Sequence, residues 1–202
     1  MSTNQNLLGV LNGAAQTGYN VAPPMGVPGQ QTFIANPVTI NGYPVESDEI
    51  ACGCGVARGT AITQEQHVYG NVNSPYGVKA IGSGMAAADF LGILVWDQGA
   101  HRSLAGGEAC KRKCDMAGVM REGHVMVRLY QDTEADAPVF MVVNAANPLN
   151  AKPGEFVSGA LGGAAVELAN VFWWAEYKAA ATPVGVVVVR AGHAAPAVED
   201  EG

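Results

Sequence analysis

Residues 124–130 have the sequence His-Val-Met-Val-Arg-Leu-Tyr, in which an aliphatic β-branched or leucine side chain occupies every second position. Side chains alternate between the two faces of a β-strand, so Val125, Val127 and Leu129 share one face of it. The other four side chains of the run share the opposite face. This period of two predicts a strand with one face buried in a core.

Short apolar runs of this kind recur along the chain between Gly, Asn and Pro residues, which is typical of many short strands. The candidate strands are residues 55–58, 92–97, 124–131, 138–144, 166–175 and 184–190. Helix is indicated only at residues 85–91 and 179–181, the second segment being ended by Pro183. The sequence therefore predicts a mainly β fold, either a barrel or a jelly-roll-like sandwich.

The composition divides the chain into three parts. Residues 1–45 combine repeated Gly and Pro with isolated apolar residues, which predicts an extended N-terminal arm. Residues 46–192 form the predicted β body, and residues 193–202 form an acidic flexible tail. Such an arm cannot build its own core, so its apolar side chains must lie on its own body or on a neighbouring subunit. The predicted contact residues of the arm are Tyr19, Val21, Met25, Val27 and Phe33.

The overall composition favours a protein that works in an assembly. Of the 202 residues, 49% are hydrophobic and 14% are charged, whereas a charged share of roughly 25% is usual. A surface so short of charge is either covered by small polar residues or partly hidden against partner chains. The net charge of −7, with only 11 Lys and Arg residues, argues against a nucleic-acid partner.

Two features bear on the compartment and on metal binding. No apolar run reaches the length of about 18 residues that a membrane helix needs, and no basic segment precedes the Leu7-Leu8 pair as in a secretion signal. We therefore expect no membrane partner and synthesis in a reducing cytoplasm. One residue separates Cys52 from Cys54, and three separate Cys110 from Cys114. The first spacing is poor for zinc, so we expect four free thiols and no metal or cofactor, with disulfide formation after release and metal binding as open alternatives.

The sequence contains no arrangement that indicates catalysis. There is no Gly-x-Ser-x-Gly motif, and the glycine-rich residues 159–163 lack the Lys-Ser/Thr of a phosphate-binding loop. Residues 132–136 carry three acidic side chains, as at the start of a calcium loop. However, Ala137 stands where that loop requires Gly, and Val143 stands where it requires Glu. We expect a protein that is not an enzyme.

The adjacent pair Trp173-Trp174 lies in a predicted strand, so the two rings should point to opposite faces. One ring can then enter the core while the other meets a partner or solvent, and both residues are candidate inter-subunit contacts. An alternative is a receptor- or glycan-binding module, whose platform would be formed by Trp173, Trp174, Tyr76 and Tyr177. Few polar neighbours surround the tryptophan pair, which disfavours that alternative.

Several stretches, taken in order, resemble the structural cement or decoration proteins of tailed bacteriophages. They are the arm residues 25–30 and the body residues 48–59, 89–97, 118–127, 135–141 and 183–189. The resemblance covers most of residues 20–190 and depends on the order of short motifs. The four cysteines depart from the family pattern.

The resemblance implies a structural virion protein, made in the cytoplasm of a bacterial host, that sits on the outer surface of an icosahedral capsid. There it would cement the shell by bridging subunits of the major capsid protein, and it would associate with itself as a homodimer or homotrimer. The family has no catalytic residues to transfer. The arm would lie across adjacent subunits, so removal of residues 1–30 is expected to weaken attachment and to leave the melting of the body nearly unchanged.

Overall fold

The computed structural model describes residues 26–32, 38–62, 75–102 and 108–190. The predicted tail, residues 193–202, lies outside the described residues, as do the arm residues Tyr19, Val21, Met25 and Phe33. Of the predicted contact residues, the structure thus describes Val27 and the two adjacent tryptophans.

Strands dominate the described part of the chain, which confirms the predicted mainly β class. They are β1 Thr39–Pro44, β2 Glu49–Ala51, β3 Gly55–Ala61, β4 Tyr76–Ala80, β5 Phe90–Leu94, β6 His101–Arg102, β7 Ala109–Arg112, β8 Met116–Arg128, β9 Pro138–Val142, β10 Phe156–Val157, β11 Ala165–Trp173 and β12 Val184–Val189. The helical elements described are two single 3-10 turns, Ala87–Asp89 and Leu161–Gly163, and neither has the length to cross a membrane.

Both predicted helices are corrected by the structure. The first shrinks to the turn Ala87–Asp89, because Leu91 and Ile93 are drawn into the core as part of β5. The second, at residues 179–181, is a hydrogen-bonded turn, in which the Ala181 amide donates to the Lys178 carbonyl at 2.9 Å. Tertiary packing and a nearby proline outweigh the helical preference of alanine at these two sites.

The main sheet has nine strands in the order β10-β9-β11-β12-β8-β5-β3-β4, with β1 paired to β8 beside this path. It curls so that β3 approaches the turn before β10, where the Gly55 amide donates to the Gly154 carbonyl at 2.7 Å. A separate small sheet has the order β2-β7-β6. The curled sheet is barrel-like, as predicted, and all pairings between the named strands are antiparallel.

Strand β8 lies at the centre of this arrangement, since it pairs with β1, β5 and β12. Val125 and Val127 are fully buried in the main core, as the alternating pattern predicts. Val119, earlier on the same strand, faces a second apolar cluster, whereas Met120 belongs to the main core. The alternation must therefore shift by one residue between Met120 and Val125, and Gly123 lies between them with a φ of 133° that glycine adopts readily.

The described residues of the predicted arm are part of the body. The Gly29 amide donates to the Met126 carbonyl at 2.7 Å, and the Met126 amide donates to the Gln30 carbonyl at 2.9 Å. Further along, β1 pairs with residues 116–122 of β8. Residues 26–32 and 38–45 of the predicted arm therefore lie on the chain's own sheet, which is one of the two surfaces expected for the arm.

The hydrogen bonds of residues 29 and 30 revise the expectation that removal of residues 1–30 leaves the melt nearly unchanged. Removal of residues 1–30 breaks the two bonds to Met126 and a third, from the Trp96 amide to the Gly29 carbonyl at 2.7 Å. At about 1 kcal/mol each, these bonds amount to about 3 kcal/mol, or roughly 5–10 °C in melting temperature. Removal of residues 1–25 retains all three bonds and should leave the melt nearly unchanged. Circular dichroism melts of the two truncated proteins test this, and equal melting temperatures would contradict it.

Candidate interaction surface

Five large apolar side chains are exposed in the described part of the chain. They are Val27 at 47%, Ile40 at 39%, Trp96 at 43%, Met116 at 49% and Trp174 at 44% relative exposure. Isolated exposed apolar residues are ordinary, so their grouping is what matters.

Ile40 and Met116 lie on one face of the β1–β8 pair. In the register of this pair, Gly42 lies opposite Gly118 and Pro44 lies opposite Met116. Side chains of the same parity share a face, so Ile40, Gly42 and Pro44 alternate along β1 on the same side as Met116 and Gly118. We call these five residues the β1–β8 strip. It contains no charged side chain. Ile40 lies opposite the buried Met120, Val95 and Ile40 lie over Gly118, and the Met116 methyl group lies over Gly42.

Val27 and Trp96 lie at a cleft of about 380 Å³. Pro28 lines the cleft beside them, together with the thiols of Cys52 and Cys54. The Trp96 amide donates to the Gly29 carbonyl at 2.7 Å, which attaches residues 26–29 to this wall.

A closed polar network forms another wall of the cleft. The Arg128 guanidinium hydrogen-bonds Glu108 and lies 3.6 Å from Glu155, while Lys152 Nζ lies 3.2 Å from Glu108. Glu155 also accepts bonds from the Tyr130 hydroxyl and, at 2.6 Å, from the Lys152 amide. Burial alone would raise the pKa of Glu108, but its bonds to Arg128 and Lys152 outweigh burial and hold that pKa below its usual range. These charged groups pair with one another, so the network holds this part of the body together. None of its described members is left unpaired to bind a ligand.

The cysteines are free thiols in the structure. Cys52, Cys54 and Cys110 are buried, and Cys114 is exposed. Burial, with a smaller contribution from Asp97, raises the pKa of Cys52 to about 12, and burial also raises the pKa of Cys54. Burial therefore favours the protonated form of both thiols. Across the described residues, no three His, Cys, Asp or Glu side chains are grouped so as to hold a metal ion.

The tryptophan pair is divided between core and surface. Trp173 is fully buried and meets Tyr177 edge to face at 6.5 Å, so it belongs to the core and is removed from the candidate contacts. Trp174 remains exposed. Because Trp173 has no exposed face and Tyr76 stacks on Tyr43 at 5.5 Å, the four rings proposed for a glycan do not form one platform.

The exposed indole of Trp174 packs against His124, with ring centroids 4.6 Å apart and planes at 83°. His124 is 7% exposed, and among the described residues neither of its ring nitrogens has a hydrogen-bond partner. Burial lowers the pKa of His124. The contact between Trp174 and His124 could not be predicted from the sequence, because β8 and the end of β11 are remote in sequence. The period of two indicates only which strand face His124 occupies.

The described surface thus presents exposed apolar side chains on several elements. The fold is similar to a chain in the capsid of Myoviridae phage XM1, with a TM-score of 0.57 and 15% identity over 86% of this chain and 95% of that chain. A family model described as structural cement protein (E217 gp24/Pam3 gp6) matches residues 15–192. No curated protein sequence gives a significant match.

The family match spans most of the chain, and the chain therefore belongs to the phage structural cement protein family. Membership confirms the resemblance noted in the sequence. The protein is a structural component of a phage virion and associates with capsid proteins.

We predict that the substitution Arg128→Met destabilises the body by about 1–3 kcal/mol. It leaves Glu155, whose side chain is 5% exposed, without its cation, although Arg128 itself is 35% exposed and partly screened. Denaturant unfolding measures the change. Arg121→Met is the matched control, because Arg121 is an exposed arginine on the same strand, and it should change stability by less than about 0.5 kcal/mol. Equal effects of the two substitutions would contradict a structural role for the network.

We also predict a loss of stability as the pH falls from about 7.5 to about 5.5, through the ordinary imidazole pKa of about 6.5. Because burial lowers the pKa of His124, the unfolded chain takes up a proton in this range that the folded chain does not. The loss from Glu108, whose pKa is also lowered, comes at more acidic pH. His124→Gln should reduce the slope of stability against pH, and an unchanged slope in this variant would contradict the assignment.

Proposed function

We propose that this protein sits on the outer surface of an icosahedral phage capsid and cements it by bridging subunits of the major capsid protein. The observation that carries the proposal is that exposed apolar side chains lie on separate elements of the same body. The β1–β8 strip lies on β1 and the first half of β8, and Trp174 follows the end of β11. A protein that bridges subunits needs more than one such surface.

The composition supports this role. With 14% charged residues, the surface has few groups whose desolvation opposes burial against a neighbour. A single strip is too small for tight binding. Many copies repeated around a closed shell make up for weak individual contacts through avidity. The role is structural, and catalysis forms no part of it.

Self-association as a homodimer or homotrimer is part of the proposal. Strand β1 supports it, because Thr39–Gly42 are exposed and uncharged and the pairing of this strand is to β8. Natural proteins usually protect an edge strand with charges, proline or a bulge. Strand β1 has two of these protections, a bulge between Thr39 and Ile40 and Pro44 at its end, but it has no charged residue. Its exposed, uncharged residues suit a contact that closes about a symmetry axis.

The arm is the second proposed means of attachment. We take residues 1–25, which include Tyr19, Val21 and Met25, as the separable part of the predicted arm, because residues 29 and 30 hydrogen-bond to β8. Ordering an extended segment costs roughly 1–2 kcal/mol per residue in backbone entropy. Burial of these apolar side chains on an adjacent subunit would offset that cost, at roughly 25 cal/mol per Å². Val27, exposed where the described chain begins, and Phe33 extend the same proposed contact.

We predict that the purified protein binds saturably to phage heads assembled without it and raises their temperature of disruption. Ile40→Ser with Met116→Ser should weaken binding roughly tenfold or more for each side chain removed, because each loses its apolar burial. Removal of residues 1–25 should also weaken it sharply. Ser83→Ala, at an exposed turn residue, is the control and should bind like the natural protein. Binding is measured by co-sedimentation with heads, and a full-length protein that fails to bind them would contradict the proposal.

A further inference from the structure

Two neighbouring residues have buried side-chain polar atoms without a hydrogen-bond partner in the described part of the chain. They are His124, at both ring nitrogens, and Thr32, at its hydroxyl in a residue 6% exposed. The exposed indole of Trp174 packs against His124. The Thr32 amide donates to the His124 carbonyl at 3.2 Å, so the two residues are neighbours. Buried polar groups are almost always paired, and an unpaired cluster under a surface side chain requires an explanation.

The surroundings of this cluster are apolar and short of charge. Val188 lies opposite His124 in the β8–β12 register, and Val186 lies opposite Met126. The nearest cation on β12 is beyond its end, where Arg190 lies over the Phe172 ring at 4.7 Å. On β8, Arg128 is paired with carboxylates. A charged ligand would therefore gain little binding free energy here. A neutral hydrogen-bonding group would find both a donor and an acceptor to pair with.

The indole is placed so that it can move without disturbing the sheet. Trp174 follows the last residue of β11, and its amide donates to the Val186 carbonyl at 2.9 Å. Its side chain is 44% exposed, and the ring contact on its inner side is with the imidazole. Rotation of this side chain would uncover His124 while every backbone bond stays in place. Tryptophan is also the residue most enriched at the energetic centres of protein interfaces.

We propose that Trp174, His124 and Thr32 form a docking site for a neutral, extended polypeptide segment of the major capsid protein. This proposal rests on the proposed function. A neutral imidazole has one donor and one acceptor nitrogen, and a hydroxyl can do both. A backbone peptide group or an Asn or Gln carboxamide is their complement, since each carries a donor and an acceptor. The indole covers the site in the free protein and packs against the segment when it is bound.

The decisive variants act on binding and on stability in different directions. His124→Phe removes the hydrogen-bonding nitrogens but keeps the ring, so it should raise the melting temperature and weaken binding to heads about tenfold. His124→Gln keeps a donor and an acceptor and should bind within about threefold of the natural protein. If His124 only packed in the core, His124→Phe would not raise the melting temperature and weaken head binding at the same time.

Trp174→Ala should weaken head binding at least about tenfold, as expected for an interface anchor. Ser83→Ala, at an exposed turn residue outside the site, is again the control and should bind nearly as the natural protein does. Equal binding by Trp174→Ala and the natural protein would overturn the docking site while leaving the cement function intact. Failure of the natural protein itself to bind heads would instead defeat the proposed function.

Two further measurements identify the occupant. Overlapping peptides of the major capsid protein, presented on an array, should include an uncharged segment that the natural protein binds and Trp174→Ala does not. Binding to a glycan array that is lost in Trp174→Ala would overturn the proposal in favour of a sugar. Loss of self-association in Trp174→Ala, measured by sedimentation velocity, would show that the occupant is a second copy of the chain.

Discussion

The hydrogen-bonded ladder along β8 is the constraint on which the rest of the fold depends. This strand of 13 residues joins the β12-β11-β9-β10 side of the sheet to the β5-β3-β4 side, and it also holds β1 and residues 29–32. A strand with strict alternation would face the main core with one set of residues along its whole length. Because the alternation shifts at Gly123, Val119 in the first half of β8 packs in the second cluster. Residues of the second half pack in the main core.

Two polar groupings on or near β8 have opposite character. Around Arg128, carboxylates, a tyrosine and a lysine satisfy one another, and such a network determines geometry more than it adds stability. Around His124, no described residue forms a hydrogen bond with the buried ring nitrogens. A fold selected for stability alone would replace that histidine with an apolar ring. His124 lies on β8, the strand with the most pairing partners. The rest of the fold can therefore tolerate the free-energy cost of its unpaired nitrogens.

Much of the fold followed from local pattern, and the remainder needed contacts that local pattern does not contain. The alternation in residues 124–130 correctly predicted which side of β8 is buried, and each predicted strand is present in the structure. Strands such as β1 were missed because Thr-Ile-Asn-Gly-Tyr-Pro has no apolar period, and its strand conformation depends on β8. Residues 26–45 also lack an apolar period, so the sequence predicted that they belong to the extended arm. Which ring of Trp173-Trp174 is buried likewise depends on residues remote in sequence. The same is true of the contact of Trp174 with His124.

The unequal burial of the cysteines has a practical consequence. Three thiols are sealed inside the body, and Cys114 alone is exposed, in a backbone conformation with a φ of 72° that holds it on a tight turn. Thiol reagents act on accessible thiolates, so a maleimide dye would modify Cys114 long before the buried sites. Each copy of the native chain thus carries one natural attachment point for a fluorophore or a cargo molecule. Labelled protein would allow the copies on a single particle to be counted by stepwise photobleaching.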